Sequence, residues 1–300
     1  MYCVDDSIIC RLVCFREEGF HPLLNLNNIY WNTILPYLLR QKETLLLSLL
    51  RLLQARNYKR DDTKLVDCGK VSIILPTYNR IELLATRAIP TVQAQSYANW
   101  ELLVISHGST DGTNEFIENL SRQDSRIKLV LQDRSRLGYP PSAENHWLVG
   151  PVKPINAGLR AVTGKWIARI DDDDEWHPNH LEKLLELLFC SHAEFASSSY
   201  EAIVGGLRTE IEPTGTPPIG GVQTWVYRSY LKFFRANINS WRKTWNRVND
   251  TDLQQRFVAA GVKIAHLREV TVTIRPRPGE KSIGSSAYLK NEERYRKKYG

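Results

Sequence analysis

The stretch Trp166-Ile167-Ala168-Arg169-Ile170-Asp171-Asp172-Asp173-Asp174-Glu175-Trp176-His177-Pro178 changes character at one position. Up to Ile170 it reads as a buried strand. From Asp171 it runs through five consecutive acids. A strand that delivers so much carboxylate to one spot sets like charges against each other. A hard divalent cation, Mg2+ or Mn2+, relieves that repulsion, because such ions take carboxylate oxygens together with substrate phosphates. An acidic turn capping a helix that begins near Asn179 is the plain structural alternative.

Upstream of this stretch, short apolar runs alternate with helical periodicity. Residues 71–75 form a strand expected to stop at Pro76, and residues 81–95 a helix expected to kink at Pro90. Strand 101–105, helix 113–123 with Thr113 near its N-cap, strand 127–131 and helix 156–162 follow. After the acids comes the Leu-rich helix 179–189. This alternation predicts an α/β domain with a mostly parallel sheet. In such sheets ligands gather beyond the carboxyl ends of the strands. The unusual residues fall there: 76–80, 106–111 and 171–174.

Composition narrows the class without choosing a partner. The chain is 42% hydrophobic and 24% charged, which excludes collagenous, disordered and disulfide-scaffold proteins. Forty Lys+Arg against 33 Asp+Glu leave a formal charge of +7, suited to nucleotide diphosphates, nucleic acid or acidic lipid. No nucleic-acid module is evident, so nucleic acid is not an expected partner. Five cysteines with no CxxC pair read as reduced thiols without a metal role. No secretory signal is read at the N-terminus. The longest uncharged run of the greasiest stretch, residues 44–50, is far short of the ~18 residues of a span. The expectation is a cytoplasmic chain, soluble or peripheral on the inner face of a membrane.

Residues 28–57 read as a helix with Pro36 in its first turn and an apolar face of Leu35, Leu38, Leu39, Leu45, Leu46, Leu49, Leu52 and Leu53. Arg40, Lys42, Arg51, Arg56, Lys59 and Arg60 make the rest basic. Such a helix packs on the catalytic domain or on a second subunit, or lies on an anionic membrane. The expected organisation is a helical extension (1–65), an α/β domain (66–275) and a basic tail or helix (276–300).

Three further segments carry chemistry. Pro76-Thr77-Tyr78-Asn79-Arg80 ends the first strand and offers an aromatic for a base and a cation for phosphate. Ser106-His107-Gly108-Ser109-Thr110-Asp111-Gly112-Thr113 offers turn glycines and small hydroxyls. Asn156-Ala157-Gly158-Leu159, with Ala161 and Gly164, leads into the acid stretch. In this order the motifs resemble those of the family 2 glycosyltransferases of the GT-A fold, over roughly residues 70–267. The resemblance implies a metal-dependent, inverting transfer of a sugar from a nucleotide-diphosphate donor, a UDP-sugar first among them, to a saccharide or lipid-linked acceptor.

It also implies roles. Asp171 and Asp173 correspond to the pair that binds metal and diphosphate, Asp173 being the direct ligand. Asp172 or Asp174 would serve the donor ribose or sugar. Pro76, Thr77, Tyr78 and Arg80 would line the nucleotide pocket. In Asn249-Asp250-Thr251-Asp252-Leu253-Gln254-Gln255-Arg256, Asp250 would be the catalytic base and Asp252 the reserve. A base is needed because the acceptor hydroxyl loses its proton as it attacks. A structural acid pair at a helix start is the alternative for both.

The chain also departs from the family pattern. Ser106-His107 stands where the family has paired Asp, leaving His107 to meet a base edge. Asn249 stands where Glu is usual. An extra segment, residues 139–147, suggests an ordered loop near the donor site. Residues 214–221 read as a loop on the acceptor side. Trp225, Tyr227, Trp241 and Trp245 could make a sugar platform, with core burial as the default. His177 and His180 flank the acids, with surface or cap roles expected. The rivals are a degenerate scaffold that binds a sugar or partner, and a nucleotidyltransferase, for which residues 76–80 supply no Gly-rich phosphate loop.

Overall fold

Every position of Val71–Thr77 (β1) is buried, and the reason lies on both faces of the strand. Val71, Ile73 and Leu75 join one core cluster, and Ile74 joins the other. A strand covered by helices on both sides reads as a continuous apolar run. The computed structural model describes residues 29–58, 68–242 and 248–284. Two compact units divide it, residues 1–38 and 39–300. In the first, the described part is a π-helical turn, Tyr30–Ile34, and the start of helix Leu35–Tyr58 (α1), with Pro36 in its first turn.

After β1 a helical run (α2) is built from Ile81–Leu83, a π turn Leu84–Ala88, and Ile89–Gln93. The irregularity expected at Pro90 takes the form of that π turn. Then come Trp100–Ser106 (β2), Thr113–Gln123 (α3), Ile127–Leu131 (β3), Ala143–Val149 (α4), Val152–Ala161 (α5) and Trp166–Arg169 (β4). Asp174–Trp176 (β5), His180–Cys190 (α6), Phe195–Val204 (β6), Leu207–Ile211 (β7), Val226–Arg228 (β8), Asn249–Ala259 (α7) and Ile264–Ile274 (β9) complete the order. The sheet order is β3-β2-β1-β4-β8-β6-β9-β5, with β7 on β6. β3, β2, β1 and β4 pair in parallel; β8 joins β4 antiparallel.

Pro76 does not end β1. The pairing with β4 stops at Ile74↔Arg169, while the pairing with β2 continues through Pro76↔Ile105 to Thr77↔Ser106. Proline is tolerated there because the ladder on one side has already finished. The segment 139–147, expected as a loop, contains α4. Thr113 lies next to the N-cap of α3, Gly112, as expected, and Asp111 Oδ1 accepts from the Thr113 amide at 3.1 Å.

The glycines of the Asn156 motif have a packing reason. A Cβ on Gly158 would stand 2.6 Å from Ile74 Cγ2, so α5 presses on the sheet more closely than alanine allows. A Cβ on Gly164 would stand 2.5 Å from the Lys70 carbonyl. Beside it, Glu101 gathers Ser72 Oγ (2.6 Å), Thr163 N (3.1 Å), Thr163 Oγ1 (2.6 Å) and Lys128 Nζ (2.7 Å), joining β1, β2, β3 and the end of α5.

From residue 39 on, α1 is fastened to the α/β unit. Leu47 is fully buried in its core, Glu43 pairs with Arg256, and Arg51 Nε donates to Glu194 at 2.8 Å. Leu45, Leu49, Leu52 and Leu53 stay exposed, so the helix is apolar on two sides. No helix among the described residues is long and apolar enough to cross a membrane.

Burial pushes the Glu101 carboxyl up, but its hydrogen bonds outweigh that and bring it down to about 2. A depressed acid stabilises the fold above its unfolded pKa, and that contribution disappears as pH falls through the folded value. Glu101→Gln is therefore expected to cost about 2 kcal/mol at pH 7. Thermal melts of the two proteins should converge between pH 4.5 and pH 2; a constant gap would contradict this account.

Candidate active site

Thr77, Ser106 and Arg169 end neighbouring parallel strands, so the three loops that follow leave the same edge of the sheet. Two cavities lie there, of about 130 and 330 Å3. Pro151, Arg169, Asp171, Asp173 and Arg277 belong to the walls of both. The two cavities therefore meet at the acid cluster.

The smaller cavity is lined by Pro76, Thr77, Tyr78, Arg80, His107, Asp171, Asp172 and Asp173, together with Arg134, His146 and Arg277. The first eight were expected from sequence. Asn79 takes a left-handed conformation, φ 52°, which Asn tolerates. The Asn79 amide donates to Ser109 Oγ (3.1 Å), and Asn79 Oδ1 accepts from the Thr110 amide (2.7 Å). Asp111 Oδ2 accepts from the Ile81 amide (3.2 Å). The small polar residues of this loop thus hold two strand-end turns together, and His107 and Tyr78 are carried into position by them.

Arg134 lies over the Tyr78 ring at 3.9 Å and reaches His107 Nδ1 at 3.4 Å. The Asp133 backbone is a second hydrogen-bond partner of the ring, so the remaining ring nitrogen is Nε2. That Nε2 is buried and has no hydrogen-bond partner. Burial, then the charge of Arg134, holds His107 down to about 4, a neutral imidazole.

The acids are tethered individually. Arg169 donates to Asp171 Oδ1 from Nε (3.1 Å) and Nη2 (2.9 Å). Thr77 Oγ1 donates to Asp172 Oδ2 (2.9 Å), and Arg277 Nε to Asp173 Oδ2 (2.6 Å). Burial, then the Asp173 charge, pushes Asp172 up to about 6. Burial also acts on Asp173, but Arg277 and Arg80 overcome it and keep the group below its ordinary range. Asp174 enters β5, is 5% exposed, and is raised well above the carboxylate range by burial and its three acidic neighbours. Among the described residues no group of three or more His, Cys, Asp or Glu is arranged to hold a metal. The oxygen-only pair Asp171 and Asp173 fits a hard cation whose other ligands are substrate phosphates and water. The raised acids beside them are the charge such a cation would relieve.

Asp250 lies in the first turn of α7 and lines the larger cavity with Asp171, Asp173, Asp174 and Trp147. Burial raises its pKa, and the Arg169 charge opposes the rise. Asp252 is not brought into the cleft. It is 6% exposed, accepts from Arg256 Nε at 3.1 Å, and belongs to neither cavity wall. Asn249, in place of the expected Glu, donates from Nδ2 to the Leu148 carbonyl (3.0 Å), a bond that a carboxylate cannot make.

His180 is fully buried, stacked on Trp176 at 4.3 Å and bonded to Thr271 Oγ1 at 2.7 Å. His177 meets Thr273 Oγ1 at 3.1 Å. Neither lines a cavity. Trp225 and Tyr227 are core residues and Trp241 packs against them, while Trp245 lies outside the described residues. Arg134, Arg169 and Arg277 were not expected at the site, whereas His146 and Trp147 come from the segment expected as an ordered loop near it. Arg169 had a signal, its place at a strand end. Arg277 fell in the assigned tail.

A curled α/β sheet with these motifs at its carboxyl edge is the GT-A architecture of nucleotide-sugar transferases. The profile of "Glycosyl transferase family 2" matches residues 72–141 and 143–256, more than half the chain. The chain belongs to that family. It is similar to UDP-Glc:alpha-D-GlcNAc-diphosphoundecaprenol beta-1,3-glucosyltransferase WfgD of Escherichia coli, 35% identical over 133 residues, 44% of this chain and 46% of that enzyme. It is also similar to GalNAc(5)-diNAcBac-PP-undecaprenol beta-1,3-glucosyltransferase of Campylobacter jejuni, 32% identical over 39% of this chain and 34% of that one. The aligned part thus spans less than half the length of either relative. Among solved structures, S. aureus TarS 1-349 in complex with UDP superposes with TM-score 0.53 at 18% identity, covering 70% of this chain and 61% of that one. Mannosyltransferase PcManGT from Pyrobaculum calidifontis, in complex with GDP-Man and Mn2+, gives 0.50 at 16%, covering 82% and 68%. These two share the fold.

The two acids of α7 should separate in a stability experiment. Asp252→Asn breaks a buried ion pair and is expected to cost about 3 kcal/mol. Asp250→Asn should leave the urea midpoint at pH 7 unchanged or slightly higher, since it removes a carboxyl that burial disfavours. Equal losses for both would contradict the placement.

Proposed function

We propose that the chain transfers a sugar, with inversion, from a nucleotide-diphosphate sugar to an acceptor hydroxyl, using a divalent cation. The observation that carries this reading is that the cavity holding Tyr78 and His107 meets the cavity holding Asp250 at Asp171 and Asp173. A donor in the first cavity would present its anomeric carbon to the second.

In this reading Tyr78, backed by Arg134, takes the base, and His107 Nε2 faces a hydrogen-bonding group on its edge. Arg80, Arg134 and Arg277 face the diphosphate. Asp171 and Asp173 would hold Mg2+ or Mn2+, which neutralises charge on the departing nucleotide diphosphate. The acceptor oxygen forms its bond to the anomeric carbon as the bond from that carbon to the phosphate oxygen breaks. Asp250 takes the proton from the attacking hydroxyl, and its raised pKa makes it a better base than an ordinary carboxylate. The charge of Arg169, shared with Asp171, opposes that rise.

The printed name of the E. coli relative supports a UDP-sugar donor and a lipid-linked acceptor. A catalytic domain over 66–275 with its site completed by residues from 276–284 accords with the cavity walls. The exposed leucines of α1 beside Arg40 and Lys42 suit peripheral contact with the inner face of an anionic membrane, or self-association. A degenerate scaffold is the second reading, because Asp171 and Asp173 are each already paired with an arginine.

Asp250→Asn should retain Mn2+-dependent UDP binding and lower sugar transfer, or hydrolysis of the UDP-sugar, by about 100-fold or more. Asp173→Asn should stay folded, with a lower melting temperature because the Arg277 pair is lost, and should lose the metal-dependent binding. Undiminished turnover in the first variant would move the base elsewhere, and unchanged binding in the second would remove Asp173 from the donor site.

A further inference from the structure

The segment between Gly138 and Pro154 belongs to none of the four motifs, and the family profile breaks within it, at Ser142. Ser142 is the N-cap of α4, its Oγ accepting from the Asn145 amide at 3.1 Å. Consecutive residues of this helix serve the two cavities: His146 lines the smaller one and Trp147 the larger.

The His146 ring is held by Tyr139, itself part of the buried core, and by Gly150. The Tyr139 hydroxyl meets Nδ1 at 2.8 Å. Gly150 lies against the ring: a Cβ there would stand 2.9 Å from Cε1 and 3.0 Å from Nε2. Asn249 Nδ2 fastens the end of the helix through the Leu148 carbonyl, one residue before Asp250. Burial and the surrounding charges of Arg134, Arg277 and Arg80 keep the imidazole neutral. When the Tyr139 hydroxyl donates to Nδ1, the ring proton is on Nε2. The cavity is walled by four guanidinium groups, of Arg80, Arg134, Arg169 and Arg277, and by the carboxylates of Asp171, Asp172 and Asp173. Arg169 and Arg277 are paired with Asp171 and Asp173, so an uncharged N–H donor adds a contact for an oxyanion without adding charge.

We propose that His146 is a ligand of the donor diphosphate, its Nε2–H donating to a phosphate oxygen, and that Tyr139 and Gly150 set the ring for this contact. The inference rests on the donor-site reading above. It makes α4 a specificity element particular to this chain, joined through Asn249 to the helix that carries Asp250.

The test uses the full chain with MnCl2, UDP binding read by calorimetry and uridine binding by ligand-observed NMR. His146→Ala should weaken UDP about 10–100-fold and change uridine less than 2-fold. His146→Gln, which keeps an N–H donor, should recover most of the loss. Tyr139→Phe should weaken UDP about 3–10-fold through a less fixed ring. Glu144→Ala, on the exposed side of α4, is the control. UDP affinity within 2-fold of wild type in His146→Ala overturns the proposal, and so does an equal loss of UDP and uridine. If the wild type binds UDP and the His146 variants match it, only this inference fails. If the wild type binds no nucleoside diphosphate, the donor-site reading fails and this contact falls with it.

Discussion

The structure turns on the cost of ending an apolar strand in a block of carboxylates. Four aspartates follow Ile170, and their environment pulls them apart rather than treating them alike. Arg169 holds Asp171 from inside the strand. Arg277 holds Asp173 from 104 residues further on. Thr77 reaches Asp172 from the neighbouring strand, and Asp174 turns into β5 and is buried. The resulting site is charged but neither saturated nor collapsed. Asp172 and Asp174 are raised, first by burial and then by the neighbouring carboxylates. A cation at this edge would offset the second of these contributions.

A second constraint ties the flanking helix to the same machinery. Arg256 in α7 is shared between Asp252 of its own helix and Glu43 of α1, all buried. Removing one partner of such a group leaves the other charges stranded. The helix that carries Asp250 is therefore anchored at its far turn by α1 and at its start by Asn249 and α4. A change in either support would be felt at Asp250 before it was felt at the smaller cavity.

Much of this was legible in the sequence, for identifiable reasons. β1, β2 and β4 were readable because strands covered on both faces are mostly apolar, and β3, a partly exposed edge strand, by its short apolar run; their order places three loops at one edge. Asp171, Asp173, Tyr78 and His107 were readable because they follow such strands directly. Pro76 was misread because its tolerance depends on where a neighbouring strand stops pairing, which is not a local property. Asp250 and Asp252 could not be ranked from position alone. Two residues apart on a helix they face different ways, and only tertiary packing shows which meets the cleft; the Asp252 and Arg256 spacing was the available clue. Segment 139–147 looked like a loop because its prolines come first, yet Ser142 starts a helix just after them. Arg277 lies beyond the region of family resemblance, and nothing local marks it.

The most direct test of the central claim is a crystal structure grown with UDP and Mn2+, with an anomalous map recorded for the metal. The account predicts the uracil against Tyr78 beside His107, the diphosphate toward Arg277, and one manganese peak at Asp171 and Asp173. Nucleotide bound elsewhere, or a manganese peak away from these two aspartates, would contradict it.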